Sequence, residues 1–222
     1  DLHVRSRRQR QMCIRDSLER DVERICFEIS EKRPIQHIIG NWDFYNGNYE
    51  VNSDVLIPRP ETERLVEIII ESVGETFNGK ILDLGSGTGA IVLALCNQLK
   101  EARGLGMDKS SEAISLSREN LCLLDLSARV SFQKFDWMLE EYKQEKVDLL
   151  ISNPPYLSLE EWNSAEPEVN KHDPKDALVS ADGGIAHLRK LLDLSKSALK
   201  KDGQIFLEVG MRQAEKVMEM MK

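Results

Sequence analysis

The sequence predicts a doubly wound α/β domain, a mostly parallel sheet covered by helices on both faces. Three observations carry this. From Lys80 onward, short apolar runs of strand length alternate with longer runs of helical period. A glycine-rich turn, Gly85-Ser86-Gly87-Thr88-Gly89-Ala90, joins the first apolar run to the helix after it. An acidic residue, Asp108, ends the second run, 19 positions after Gly89. Strands that alternate with helices become parallel neighbours linked by right-handed crossovers. Ligands of such sheets sit at the carboxyl ends of the strands.

The chain has 222 residues, 41% of them hydrophobic and 31% charged, which suits one domain with a small appendage and enough apolar surface for a full core. No apolar run approaches the ~20 residues that span a bilayer. The start is Arg-rich but has no apolar segment or small-residue cleavage site, so it is not a secretory signal. A net charge of -8 argues against a protein whose main task is gripping nucleic acid backbone. Cys13, Cys26, Cys96 and Cys122 form no CxxC pair and no zinc-ligand spacing with a histidine. They read as ordinary thiols of a reducing cytoplasm, and no metal is expected. His3, His37, His172 and His187 are scattered and suggest no nucleophile–His–acid set.

Residues 1–16 carry five arginines without helical or strand period, and without them the net charge is -11. They read as a disordered or foreign leader, whose removal is expected to leave ligand binding unchanged. Residues 17–33 place Leu18, Val22, Ile25, Cys26 and Ile29 at helical spacing. Residues 34–59 carry β-branched and aromatic residues around Asn46-Gly47, which predicts a hairpin turning on that pair. Pro58 and Pro60 then break the chain, and Pro60-Glu61 opens a helix. The strands expected next are ILDLG, GLGMD, VSFQKFD, VDLLIS and GQIFLEVG, with helices AIVLALCNQL, one starting near Ser110, and IAHLRKLLDLSKSAL between them. A polar loop is expected between Asn153-Pro154-Pro155-Tyr156 and the last of these helices.

The motifs cluster where the fold places ligands. Asp83 and the turn from Gly85 to Gly89 let the backbone approach a ligand closely, and Asp108 can accept from both hydroxyls of a ribose. Together they indicate an adenosine-containing cofactor. Gly85-x-Gly87-x-x-Ala90 also fits a relaxed dinucleotide fingerprint, so this loop alone leaves NAD open. Asn153-Pro154-Pro155-Tyr156 distinguishes the two. Two prolines remove backbone donors but keep both carbonyls, and Asn153 adds another acceptor. Tyr156 offers a flat face to a planar amide or base. Such a loop suits a donor such as an NH2 group, an arrangement that a nitrogen methyltransferase can use and a hydride-transfer enzyme cannot. Asp136 and Trp137 follow the third strand and can flank an adenine, with core packing of Trp137 as the alternative.

These residues resemble the peptide chain release factor glutamine methyltransferases. The matching segments are RPIQHIIGNWDFYN, VLIPRPETERLVE, ILDLGSGTGAIVLAL, FDW, ISNPPY, EPEV followed by HDPKDAL, ADGGIAHLRKLL and GQIFLEVG, in order over about 180 residues. Asn-Pro-Pro-Tyr alone is shared with adenine methyltransferases of DNA and RNA. Pro60-Glu61-Thr62-Glu63 favours the release factor group over a sister group acting on a ribosomal protein. The resemblance implies a class I S-adenosylmethionine-dependent methyltransferase domain over 60–222, preceded by a hairpin linker and the remnant of a helical domain. It implies that Gly85, Ser86, Gly87, Thr88, Gly89, Asp108, Trp137 and Asn153 contact S-adenosylmethionine. It further implies that Asn153, Pro154, Pro155 and Tyr156 hold a glutamine of a release factor, with no direct nucleic acid or membrane partner. Members of that family also carry a larger N-terminal helical domain and two further strands after GQIFLEVG. Their absence here predicts a chain shortened at both ends, with an unpaired sheet edge. An adenine-N6 methyltransferase, a nicotinamide oxidoreductase and an inactive binding module remain the rival readings.

Overall fold

A computed structural model of the protein describes residues 20–221. The Arg-rich leader and residues 17–19 of the first expected helix lie outside the described residues. Residues 20–30 are helical (α1). They are followed by a short helix, α2 (Ile35–Ile39), and a hairpin of β1 (Asn41–Phe44) and β2 (Gly47–Glu50). The main domain runs α3 (Pro60–Val73), β3 (Lys80–Leu84), α4 (Ala90–Gln98), β4 (Arg103–Asp108), α5 (Ser111–Leu123), β5 (Val130–Lys134) and β6 (Val147–Ser152). Four short helical pieces follow, α6 (Leu159–Asn163), α7 (Pro167–His172), α8 (Lys175–Leu178) and α9 (Ala181–Gly184). The chain continues through α10 (Ala186–Ala198), β7 (Leu199–Leu207) and α11 (Ala214–Met220).

The five strands β3 to β7 form one all-parallel sheet in the order β5-β4-β3-β6-β7. The chain therefore reverses direction across the sheet between β3 and β6, and the crevice at that switch point is where such folds bind ligands. The core has two layers because neighbouring strand residues face opposite ways. Ile81 points into the layer built with Val66 and Ile69 of α3 and Val92 and Leu95 of α4. Leu82 and Leu84 point into the other, with Leu191 and Leu194 of α10. Asp83 shares the parity of Ile81, so a carboxylate is carried into the first layer.

Three expectations need correction. The hairpin does not turn on Asn46-Gly47: Phe44 pairs with Gly47, so Tyr45 and Asn46 form the two-residue loop, with Tyr45 at φ 52°. Gly47 is a strand residue, and a Cβ there would come within 2.9 Å of the Tyr49 ring. The segment IQHII is a helical turn rather than part of the extended linker, closed by Gly40 in the left-handed region. The polar loop after Tyr156 is folded into short helical pieces. Ser158 and Glu161 form a capping box at α6, and Leu157 bridges to Val179. Pieces of four to six residues are too short to show a helical period in sequence.

Candidate functional site

The carboxyl ends of β3, β4, β5 and β6 meet at a cleft, the place where such folds bind small molecules. The glycine turn forms its floor. Gly85, Gly87 and Gly89 have φ of 76°, 53° and 81°, a region that L-residues avoid. Gly89 is required on a second count, since a Cβ there would lie 2.7 Å from the Phe132 ring. It is the N-cap of α4 and has no side chain to satisfy that helix end, and the Ala90 N–H turns back to Thr88 Oγ1 at 3.3 Å.

Asp108 stands at the end of β4 and fixes the floor. Its Oδ2 accepts the Gly87 N–H at 2.9 Å and its Oδ1 accepts the Ser110 N–H at 2.9 Å. A carboxylate has about four lone-pair sites, so each oxygen can still accept a ligand hydroxyl. Burial holds the Asp108 carboxyl above the ordinary carboxylate range, against the pull of the Ser110 and Gly87 amides and Lys109.

The cleft gathers Gly85, Ser86, Gly87, Thr88, Asp108, Asp136, Trp137, Asn153 and Pro155 of the expected set. Gly89, Pro154 and Tyr156 do not line it. Pro154 is buried behind the loop and Tyr156 is half-buried. Asp83 is sealed completely. Its carboxyl is pushed up to about 7 by burial, against the pull of the Val92 N–H and with a smaller push from the Asp108 charge.

Sequence reasoning missed several wall residues. Val55, Ile57 and Pro58 of the segment between hairpin and α3 close one side, so that segment belongs to the site rather than merely linking to it. His187 of α10 lines the cleft and meets Trp137 edge to face at 5.8 Å between ring centres. Burial depresses the His187 pKa, and its Nδ1 lies 2.9 Å from Ser180 Oγ. As a lone histidine in a helical pattern, it gave no signal.

Thr62 and Glu208 were missed as well, and both bear directly on Asn153. Asn153 Nδ2 donates to Thr62 Oγ1 at 3.1 Å, and Thr62 Oγ1 donates to Glu208 Oε2 at 2.7 Å. The Tyr156 hydroxyl faces Glu208 Oε1 at 3.4 Å. The Tyr156 carbonyl accepts from Gln213 Nε2 at 2.7 Å, which clamps the end of the loop. Thr62 lies in the Pro60–Glu63 motif and Glu208 just past a parallel strand's carboxyl end; those positions were the available signals. Glu63 in the same motif accepts the Tyr45 N–H at 3.0 Å and so anchors the hairpin loop.

The site's unmet polar groups test whether an adenosine cofactor bearing an amino-acid tail suits it. Ser86 Oγ and Trp137 Nε1, of two residues that line the cleft, are buried without a hydrogen-bond partner among the described residues. Such orphans are uncommon in folded proteins and point to a group that supplies the missing partners. A glycine floor that a ligand can approach closely, a carboxylate with lone pairs to spare at the end of β4 and an aromatic wall fit that ligand.

Known proteins agree with this geometry. Residues 62–166 match the family model described as the methyltransferase small domain. The release factor glutamine methyltransferase of Streptococcus pneumoniae is 38% identical over 201 residues, covering 90% of this chain and 70% of that protein. This chain belongs to the release factor glutamine methyltransferase family. A second member, from Fusobacterium nucleatum, is 35% identical over 200 residues, which is 90% of this chain and 56% of that protein. The chain thus spans little more than half the length of that family member. Among solved structures, the hMettl16 catalytic domain in complex with MAT2A 3′UTR hairpin 6 superposes with a TM-score of 0.63 at 15% identity. The match covers 78% of this chain and 66% of that one, and this likeness is one of fold alone. The family's sheet is that of the class I S-adenosylmethionine-dependent methyltransferases.

Proposed function

We propose that the protein transfers the methyl group of S-adenosylmethionine to the side-chain amide nitrogen of a glutamine in a protein. The substrate in this reading is the Gly-Gly-Gln glutamine of a bacterial class-1 peptide chain release factor. The observation that carries it is the state of Asn153: its NH2 is held by Thr62, and no donor among the described residues takes its Oδ1. An acceptor fixed at the edge of a cofactor cleft suits a substrate that brings its own NH2.

When bound, the cofactor supplies an electrophilic methyl group on a sulfonium. Everything else falls to the chain. Asp108 would hold the ribose hydroxyls, the Gly85–Gly89 turn the amino-acid tail, and Trp137 with Asp136 the adenine. Asn153 Oδ1 and the Pro154 carbonyl would accept the two amide N–H bonds of the glutamine, and Pro155 and Tyr156 would confine its plane. An amide nitrogen is a poor nucleophile because its lone pair is shared with the carbonyl. Alignment and polarisation of the N–H bonds are therefore what the loop contributes. No side chain here needs to act as a dedicated base.

Support comes from family membership and from the fit of the cleft. The test is a methyl-transfer assay with labelled cofactor, offering release factor, ribosomal protein and DNA side by side. Methylation of the release factor at glutamine is expected. Label on DNA adenine instead would shift the reading to the nucleic acid methyltransferases that share Asn-Pro-Pro-Tyr. Asn153→Ala should lower single-turnover methylation by ~10²–10³ while cofactor affinity changes far less. Asn153→Asp should bind cofactor well and turn over poorly, since a charge beside the sulfonium stabilises the ground state more than the transition state. Methylation at the parent rate by Asn153→Ala would reduce the loop to a structural turn.

A further inference from the structure

We propose that Glu208, acting through Thr62, is a positioning residue that decides which end of the Asn153 side-chain amide faces the cleft. The proposal deepens the glutamine-amide reading above and rests on it for its catalytic consequence. Hydrogen-bond direction sets the orientation. An ionised carboxylate can only accept, so the Thr62 hydroxyl must give its single proton to Glu208 Oε2, at 2.7 Å. Thr62 Oγ1 then has only lone pairs left for Asn153. Of the two ends of the amide, only the NH2 can answer a lone pair, and Asn153 Nδ2 lies 3.1 Å away. The carbonyl of Asn153 is left turned from Thr62 and free to accept. Asparagine on its own has no such preference, because its two ends are nearly the same shape.

The geometry around Glu208 is rigid enough to impose this. Its backbone N–H donates to the carbonyl of Ser152, the residue before Asn153, at 3.0 Å. The backbone of Glu208 is thereby tied to the strand that delivers the loop, while Thr62 holds its carboxylate from α3. Thr62 is buried on α3, and the hydroxyl of Tyr156 faces the second oxygen, Oε1. Gln213 clamps the same loop by donating to the Tyr156 carbonyl. One acidic side chain thus touches α3, the loop after β6 and, through its own backbone, the end of β6.

Protonation is the natural probe of a device that works by direction. A neutral Glu208 can donate, which lets the chain of bonds run the other way: Glu208 to Thr62, Thr62 to Asn153 Oδ1. Asn153 would then present its NH2 to a substrate NH2, two donors without an acceptor. The groups facing Glu208 are Thr62 and Glu61 on α3 and Asn153 and Tyr156 on the loop, with Arg59 acting on Tyr156. Burial and the Glu61 charge hold the Glu208 carboxyl above the ordinary carboxylate range, while the bonds from Thr62, Tyr156 and Asn153 hold it down. Turnover should therefore fall on the acid side as Glu208 takes up its proton.

The experiment compares the parent with Glu208→Gln, Thr62→Val and Thr62→Ser in the full chain. Glu208→Gln keeps shape and polarity but donates as well as accepts, so the direction is no longer imposed. The expected result is a kcat lower by about 10²-fold with cofactor affinity nearly unchanged, and loss of the acid limb of the pH profile. Thr62→Val should behave alike, and Thr62→Ser should restore most of the turnover. The second readout needs no activity. The ¹⁵N side-chain amide signal of Asn153, identified by its loss in Asn153→Asp, should titrate with pH in the parent and stop titrating in Glu208→Gln. A signal that titrates identically in both, or a Glu208→Gln enzyme with the parent kcat and acid limb, overturns the proposal. If the signal behaves as expected but the parent methylates no glutamine, the amide reading fails and the orienting role of Glu208 stands.

Discussion

Asp108 illustrates how much one side chain carries at this site. It pins the floor through Gly87 and the start of α5 through Ser110, and it retains lone pairs for a ribose. Asp108→Asn keeps the volume and halves the acceptors. Calorimetric titration should show cofactor affinity lower by roughly tenfold or more, each charge-assisted bond being worth ~1.5–3 kcal/mol. Asp83 works differently, by being buried without partners. Its folded pKa, about 7, lies above the ordinary 3.8. As pH rises, the unfolded chain therefore releases this proton first, and stability falls between about pH 4 and about 7, then levels off. Asp83→Asn should flatten that limb and raise the melting temperature near neutral pH, by an energy on the order of a few kcal/mol at most. Thermal melts at pH 5 and pH 8 decide it: an equal pH dependence in parent and variant would mean that Asp83 is not strained in the free protein.

Among elements, the hairpin is the one whose attachment is most specific. Asn120 of α5 is fully buried and ties three backbone groups together. Its Oδ1 accepts the Glu50 N–H at 2.7 Å, and its Nδ2 donates to the carbonyls of Glu50 at 3.1 Å and Thr88 at 3.0 Å. One amide thus joins β2, α5 and the glycine turn. Asn120→Ala strands all three groups, at a cost of about 2–3 kcal/mol. The expected outcome is a lower urea midpoint at unchanged slope, together with weaker cofactor binding, because Thr88 belongs to the floor. A variant that loses stability but binds normally would separate the hairpin from the site. From the other side, Glu63 holds the hairpin loop through Tyr45, so the hairpin is fixed at both ends.

The whole molecule is a sheet whose switch point forms the cleft, so ligand binding and fold stability are coupled. A ligand at 100 times its dissociation constant adds ~2.7 kcal/mol, which for a domain of this size raises the melting temperature by about 5–10 °C. S-adenosylmethionine or its demethylated product should give that shift and NAD should not. A shift with NAD alone would return the glycine turn to the dinucleotide fingerprint that it also satisfies. At the far side of the sheet, β7 pairs with β6 only, among the described residues. Lys200, Lys201 and Asp202 crowd the start of that strand, the charged kind of edge that resists pairing with another chain.

The parallel sheet, the glycine turn, Asp108 and the Asn153–Tyr156 loop were legible in the chain because their signals are local. Apolar runs of strand length, glycines where φ must be positive and an acid at a strand's end each show within about ten residues. The hairpin turn was misplaced by one residue: Gly47 pairs in the strand, beside the Tyr49 ring, and is not part of the turn. Short helices after Tyr156 left no period to read. Thr62, Glu208, Asn120 and His187 could not be assigned roles in advance, since each acts on a partner distant in sequence. Thr62 and Glu208 are separated by 146 positions and touch Asn153 only after β3, β6 and β7 have stacked in order. Local chemistry names the atoms that can bind and react. The direction in which a buried amide points depends on which donors and acceptors long-range packing sets beside it, and no stretch of sequence contains that neighbourhood.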